Sequence, residues 1–120
     1  MLFRSEARLQ ARPETDNPPL IDLLGLDDRA FRQRFAGSPI KRTGRDRFIR
    51  NCLIAAGNSG ERDLLPAIER LATDASPLVR AMAAWALSQL CRADEFAALR
   101  TRHLSRESDA DVRREWTGDP

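Results

Sequence analysis

The sequence has no tyrosine, one histidine (His103) and two cysteines (Cys52 and Cys91) among its 120 residues. The cysteines lie too far apart for the ligand spacing of a zinc site. No apolar run approaches the roughly 18 residues of a membrane-spanning helix, and the N-terminus has no signal-peptide core. Glycine-rich phosphate loops of the Walker or dinucleotide type are also missing. We therefore expect a cytoplasmic protein without a membrane partner, and most catalytic and metal-dependent classes are excluded.

Residues that could carry chemistry have simpler structural explanations. A lone histidine in a charged helix, as at His103, is typical of the surface. Cys52 and Cys91 lie in apolar helical patterns and are predicted to be buried free thiols. Trp85 is predicted in the core, whereas Trp116 fits either the core or an exposed stacking surface. Helix capping explains the acids at predicted helix starts better than acid–base catalysis does; they are Asp22, Asp27, Asp28, Asp63 and Asp74. We predict no catalytic and no metal-binding residue in this chain.

Composition favours an all-α protein of one domain. Apolar residues make up 42% and charged residues 32% of the chain, and alanine and leucine, which favour helix over strand, are abundant. The segment "RPETDNPP" cannot continue a helix because it contains three prolines. We predict a polar lead-in at 1–18, a helical domain at 19–116 and a tail at 117–120.

Capping and breaking residues divide this domain into helices. Asp27 is a good N-cap for a short second helix, and Ser76 with Pro77 marks the start of a longer one. Pro66 is tolerable because it falls in a first turn. The predicted helices are a short one beginning near Pro19, one after Asp27, and longer ones over 45–58, 63–74, 76–90, 93–104 and 109–116.

The helices repeat. "FIRNCLIAAGN" at 48 aligns with "LVRAMAAWALS" at 78 and superposes Arg50 on Arg80, and "ADVRREW" at 110 places Arg113 on Arg80. The motif Asp-x-x-Pro-x-Val-Arg at 74–80 resembles the second helix of HEAT-type repeats. Helix pairs that cannot bury their apolar faces alone stack into a solenoid. We predict a short HEAT-like α-solenoid with an N-terminal helical cap.

Positive charge is concentrated in "GSPIKRTGRDRFIR" (37–50). The net charge of the whole chain is +2, yet residues 31–50 contain seven bases and one acid. Arg47 and Arg50 lie three apart on one side of a predicted helix, and Lys41 and Arg42 lie in the loop before it. Clustered bases beside a helix N-terminus favour phosphate, and several phosphates in a row would mean nucleic acid. A solvated charged face on a solenoid explains the same pattern, so both interpretations remain open.

Two motifs carry a more specific resemblance. "FAGSPIKR" (35–42) and "RNCLIAAGN" (50–58), within residues 18–115, resemble the C-terminal part of bacterial epoxyqueuosine reductase. That family of oxidoreductases reduces epoxyqueuosine to queuosine in tRNA and uses a cobalamin and two [4Fe-4S] clusters. The resemblance implies that this chain is a HEAT-like domain that holds the tRNA anticodon arm. Its partners would be tRNA and the cobalamin and ferredoxin-like domains of the same enzyme, in a monomer.

The cysteine runs that hold the clusters in that family are missing, and Cys52 and Cys91 do not match them. The resemblance therefore implies no cofactor in this chain and places the reduction elsewhere. The tRNA-facing candidates it implies are Ser38, Lys41, Arg42, Arg45, Arg47, Arg50 and Asn51. Arg50 and Asn51 could instead brace the inter-repeat loop or the turn at Gly57–Asn58. A different class of function, a stand-alone HEAT adaptor that binds protein through its concave face, also stays open.

Overall fold

A computed structural model describes residues 19–118, so the predicted lead-in at 1–18 and residues 119–120 lie outside the described part. Within residues 19–118 every regular element is helical, which confirms the predicted all-α class. The α-helices are α1 (Leu20–Leu24), α2 (Asp28–Arg34), α3 (Arg45–Asn58), α4 (Leu65–Leu71), α5 (Pro77–Leu90), α6 (Ala93–Leu104) and α7 (Ala110–Thr117). Two 3₁₀ helices cover Pro39–Thr43 and Arg62–Leu64.

Local signals set most of these boundaries. The Asp27 side chain accepts the Ala30 N–H at 2.8 Å and starts α2, as an N-cap does. The Ser76 side chain caps α5, whose first residue is Pro77. The predicted helix at 63–74 is shorter in the structure, with a 3₁₀ turn before α4. Pro66 explains the break, because it has no N–H to donate to the Arg62 carbonyl, so the α-helical bonding pattern cannot extend back to that residue.

The helices stack as repeats. α3, α5 and α7 pack side by side, α4 packs on α5, and α6 packs on α7 and α5. The pairs α4–α5 and α6–α7 are the predicted repeats, and α3 occupies the position of the preceding second helix. α1 and α2 pack on α3 and form the predicted N-terminal cap.

The core runs along α5. Val79, Ala83 and Leu87 on this helix are fully buried. Small residues let the helices approach closely, most clearly at Gly57 of α3. A Cβ atom built on Gly57 would lie 2.5 Å from the Trp85 ring, which no ordinary packing contact allows. Trp85 itself is half-buried and packs against the core.

The packing of α6 and α7 decides the positions of His103 and Trp116. The His103 side chain is only 10% exposed, so its predicted surface position is wrong. Its ring stacks on Trp116, with centroids 5.1 Å apart and planes 6° apart. Trp116 is buried, which places it in the core. The helical pattern alone did not show that α7 would cover this face of α6.

The two thiols differ from each other. Cys52 is buried and Cys91 is half-buried, and both are free. Burial raises the pKa of Cys52 to about 11 and also raises the pKa of Cys91. Both thiols therefore stay protonated and poorly reactive at neutral pH.

Candidate nucleic-acid interface

The basic segment is more ordered than a loop. Lys41 and Arg42, predicted in a loop, lie in the 3₁₀ helix Pro39–Thr43. The Ser38 hydroxyl oxygen accepts the Ile40 N–H at 3.2 Å, and Pro39 supplies the fixed φ that suits a first helical residue. Gly44, with a φ of 84°, separates this turn from α3. Only a glycine adopts this φ without strain, so the turn ends at a fixed place.

An aromatic cluster holds both ends of the segment. The rings of Phe31, Phe35 and Phe48 contact one another, with centroid distances of 5.1, 5.3 and 4.9 Å. Phe35 comes just before the turn and Phe48 just after it. Because aromatic pairs at such distances attract one another beyond their buried area, the cluster anchors the intervening residues to α2 and α3.

Two cations stand on the outer side of this turn. Lys41 and Arg42 are exposed and, within the described residues, have no carboxylate partner. Together with Gly37, Ser38 and Pro39 they line an open depression of about 590 Å³. Ser38 is half-buried at its wall. The depression is wide, positively charged and open to solvent, as a surface that receives phosphate groups must be.

The start of α3 adds to the same positive region. The N-cap Gly44 has no side chain that could accept the first amides of the helix. Such amides attract anions. Arg47, one turn into the helix, is exposed and has no carboxylate partner among residues 19–118.

Arg45 is placed differently from its neighbours. Its Nη1 and Nη2 atoms donate to the two carboxylate oxygens of Asp74 at 3.0 and 2.9 Å. Its Nε donates to the Leu26 carbonyl at 2.9 Å, and a further bond reaches Asp46. The Arg45 and Asp74 side chains are only 13% and 14% exposed. Direct contact of Arg45 with tRNA stays a prediction, and the structure gives the residue a bracing role.

The titration of this pair follows from the same contacts. The hydrogen bond with Asp74 raises the pKa of Arg45 further, outweighing burial. Burial by itself would raise the pKa of Asp74, but the bonds from Arg45 and the Ser76 amide lower it overall. Both groups are therefore charged at neutral pH.

Arg50 and Asn51 lie one turn further along α3. Arg50 Nη2 donates to Asn51 Oδ1 at 3.2 Å. The Arg50 Nε atom is buried and has no hydrogen-bond partner. Within residues 19–118 no hydrogen bond joins either side chain to an inter-repeat loop or to the turn at Gly57–Asn58.

Five of the nine arginines of the later repeats pair with a carboxylate. Arg62 pairs with Glu95 at 2.8 Å, Arg80 with Glu107 at 2.9 Å and Arg102 with Glu69 at 2.6 Å. These pairs connect one repeat to the next. Among the described residues, Arg70, Arg100, Arg106 and Arg113 also have no carboxylate partner, but they are spread over 70–113. In contrast, four cations without such a partner lie close together within 41–50; they are Lys41, Arg42, Arg47 and Arg50.

A second depression limits this positive surface, and sequence reasoning missed it. It measures about 340 Å³. Its lining residues are Asp27, Asp28, Arg45, Asp46, Asp74, Ala75 and Ser76. These four carboxylates outnumber the guanidinium groups of Arg45 and Arg32 that pair with them, so this depression disfavours phosphate. Sequence spacing could not reveal this, because the acids come from three separate segments.

Within residues 19–118 no group of three or more histidine, cysteine, aspartate or glutamate side chains is arranged to hold a metal ion. In the same range, no helix has the length and apolarity required to cross a membrane.

Stacked helix pairs define an α-solenoid, and the basic segment gives it a surface of cations without carboxylate partners among the described residues. Residues 40–117 match the family model described as HEAT repeats. The chain therefore belongs to the HEAT-repeat family.

Two curated relatives of this chain share the name epoxyqueuosine reductase. The chain is 40% identical over 85 residues to an epoxyqueuosine reductase of Xanthomonas campestris pv. campestris, covering 70% of this chain and 24% of that protein. It is 38% identical over 87 residues to an epoxyqueuosine reductase of Alicycliphilus denitrificans, covering 66% and 24%. The chain thus spans about a quarter of the length of these curated relatives.

A solved structure shows the same arrangement of helices. It is an epoxyqueuosine reductase crystallised with an epoxyqueuosine-modified stem loop of tRNA-Tyr. The TM-score is 0.79 at 26% identity, covering 88% of this chain and 28% of that one. The resemblance seen in the sequence is therefore confirmed, and this chain matches one part of a larger enzyme.

Proposed function

We propose that this chain is the tRNA-binding HEAT-repeat part of an epoxyqueuosine reductase and that it holds the anticodon arm by its phosphates. The observation that carries the proposal is the group of cations without carboxylate partners at Lys41, Arg42, Arg47 and Arg50. The stem loop in the similar solved structure supports it. Unpaired cations bind phosphate more readily because no intramolecular ion pair has to break first.

The residues of the segment would act in different ways. Lys41, Arg42 and Arg47 would supply charge-assisted hydrogen bonds to phosphate oxygens. Ser38 and Asn51 would add neutral hydrogen bonds at the edge of the same surface. Such contacts fix the position of an RNA without reading its bases, so recognition of the modified base would lie outside this segment.

The reduction itself would belong to the rest of such an enzyme. The relatives are about four times longer than the matched region. Cobalamin and iron–sulfur chemistry would reside in the cobalamin and ferredoxin-like domains, which would be the protein partners of this chain. The contribution of residues 19–118 would be to hold the substrate while that chemistry occurs.

Binding of an anticodon stem-loop RNA of tRNA-Tyr, measured by fluorescence anisotropy, tests this proposal. The variant Lys41→Ala/Arg42→Ala should bind roughly tenfold more weakly than the natural chain, since two charge-assisted contacts are lost. The matched control is Arg70→Ala/Arg106→Ala. It also removes two exposed arginines without carboxylate partners among the described residues, but outside the segment, and should change affinity less than about threefold.

Equal losses in both variants would show that only net charge matters and would contradict the assignment to the segment. No binding of the natural chain at low salt would favour the alternative, an adaptor that binds protein.

A further inference from the structure

Arg50, Arg80 and Arg113 occupy equivalent positions in successive repeats, and the last two make the same hydrogen bond. Arg80 Nη1 donates to the Asp74 carbonyl, six residues earlier, at 2.9 Å. Arg113 Nη1 donates to the Glu107 carbonyl, also six residues earlier, at 2.7 Å. Each arginine therefore ties its helix to the loop before it. Such bonds satisfy carbonyl groups that the helix itself does not pair.

Arg50 departs from this pattern. The equivalent carbonyl belongs to Gly44, and that carbonyl accepts the Phe48 N–H at 3.1 Å. Within residues 19–118 the one hydrogen bond of the Arg50 side chain goes to Asn51, and its buried Nε has no partner. Arg50 therefore does not tie α3 to the loop before it, as Arg80 and Arg113 do for α5 and α7.

Arg45, five residues earlier on the same helix, connects α3 to its neighbours by other contacts. It reaches the Leu26 carbonyl in the N-terminal cap and the Asp74 carboxylate in the next repeat. Asp74 in turn accepts the Ser76 N–H at 3.0 Å and, through its carbonyl, the Arg80 guanidinium. One continuous chain of bonds therefore joins the cap, the start of α3 and the start of α5.

We propose that the two arginines have separate roles: Arg45 is a positioning residue that fixes the basic segment on the repeat stack, and Arg50, without the loop contact that Arg80 and Arg113 make, binds a backbone phosphate of the RNA. The half that concerns Arg50 rests on the proposed function. The half that concerns Arg45 rests on the contacts of the folded chain. Within residues 19–118 the Arg50 side chain makes one hydrogen bond, from Nη2 to Asn51, so its other Nη N–H groups are available to an anion. In contrast, four of the five N–H groups of Arg45 already donate to protein oxygens.

The variants Arg45→Ala and Arg50→Ala form a matched pair, because they remove the same charge from the same helix. Two quantities should be measured for each: the melting temperature, and the slope of log Kd against log salt for the stem-loop RNA. Arg45→Ala should lower the melting temperature by at least about 5 °C and leave the slope unchanged. Arg50→Ala should leave the melting temperature within about 2 °C and reduce the slope by about 0.7 to 0.9.

Asp74→Asn supplies a gentler test if Arg45→Ala does not fold. It keeps the shape of the side chain and removes the charge that holds Arg45. A positioning role predicts weaker RNA binding with an unchanged slope. A direct phosphate contact predicts tighter binding and a steeper slope, because the released guanidinium would reach the RNA, and this result would overturn the proposal.

A reversed pattern, with a reduced slope in Arg45→Ala and a lower melting temperature in Arg50→Ala, would also overturn it. If the natural chain binds no RNA, the proposed function and the role of Arg50 both fail. The melting temperatures then still decide the role of Arg45, so the two failures are distinguishable.

Discussion

The single histidine shows how much a side chain depends on its surroundings. The His103 ring lies against Trp116, and its Nε2 is 3.9 Å from Glu69 Oε2. Burial lowers the pKa of His103; Glu69 opposes this effect, whereas Arg102 and Arg106 add to it. The imidazole is therefore held neutral in the folded chain over a wider pH range than in the unfolded one.

This difference predicts a loss of stability in mild acid. The unfolded chain takes up a proton near pH 6.5, the ordinary pKa of histidine, while the folded chain resists it until lower pH. The free energy of unfolding should thus fall as the pH drops below about 6.5, by less than about 1.5 kcal/mol down to pH 5.5. Urea unfolding at pH 7 and at pH 5.5 measures this change in the free energy of unfolding.

His103→Gln is the appropriate control, because the sequence has no other histidine. The variant should lose most of the pH dependence in this range, even if it is less stable overall. An undiminished pH dependence in the variant would show that another group is responsible.

Residue roles in the basic segment were only partly predictable. The excess of bases at 31–50 is visible in the sequence, and the free cations at Lys41, Arg42 and Arg47 agree with it. The engagement of Arg45 was not predictable, because Asp74 lies in the next repeat and the bond depends on how the repeats stack. The composition of a segment gives the number of its charges, but it does not show which of them pair with residues of the next repeat.

At the scale of elements, the most extensive helix contact among residues 19–118 lies between α3 and α5. Gly57 faces the ring of Trp85, and the space for one additional methyl group is missing. A rigid indole cannot move aside as the end of a flexible chain would. The spacing of these helices, and with it the position of the basic segment, depends on this contact.

Gly57→Ala should therefore destabilise the protein by about 1 to 3 kcal/mol, although alanine is the better helix former by roughly 1 kcal/mol. Asn58→Ala, at the exposed neighbouring position, should change stability by less than about 0.5 kcal/mol. Chemical denaturation of both variants measures the difference. If Gly57→Ala is as stable as the natural chain or more so, the close packing does not constrain the helices.

Helix boundaries followed the local chemistry where caps were strong. The predicted spans 45–58 and 93–104 are α3 and α6, and Ser76 with Pro77 starts α5 as expected. The turn Pro39–Thr43 was not predicted, because such 3₁₀ turns lack an extended apolar pattern. The same limit hid the short turn before α4. Periodicity finds long amphipathic helices and overlooks single turns between them.

At the scale of the whole molecule, charge is distributed unevenly over the solenoid. Cross-repeat ion pairs such as Arg62–Glu95 and Arg80–Glu107 engage part of the positive charge of the later repeats, while unpaired bases lie close together at 41–50 beside an acidic depression. Under the proposed function, a bound RNA would extend away from this depression. This uneven distribution, rather than the small net charge, supports the proposal that the chain binds a polyanion.

The salt dependence of RNA binding by the natural chain tests the central claim most directly. Four unpaired cations that each displace about one counterion predict a slope of log affinity against log salt of about −3, between roughly 50 and 200 mM salt. Titration of the anticodon stem-loop RNA over this range gives the slope. A value near −3 agrees with phosphate binding through the segment at 37–51. A slope close to zero, or no binding at the lowest salt, would contradict it.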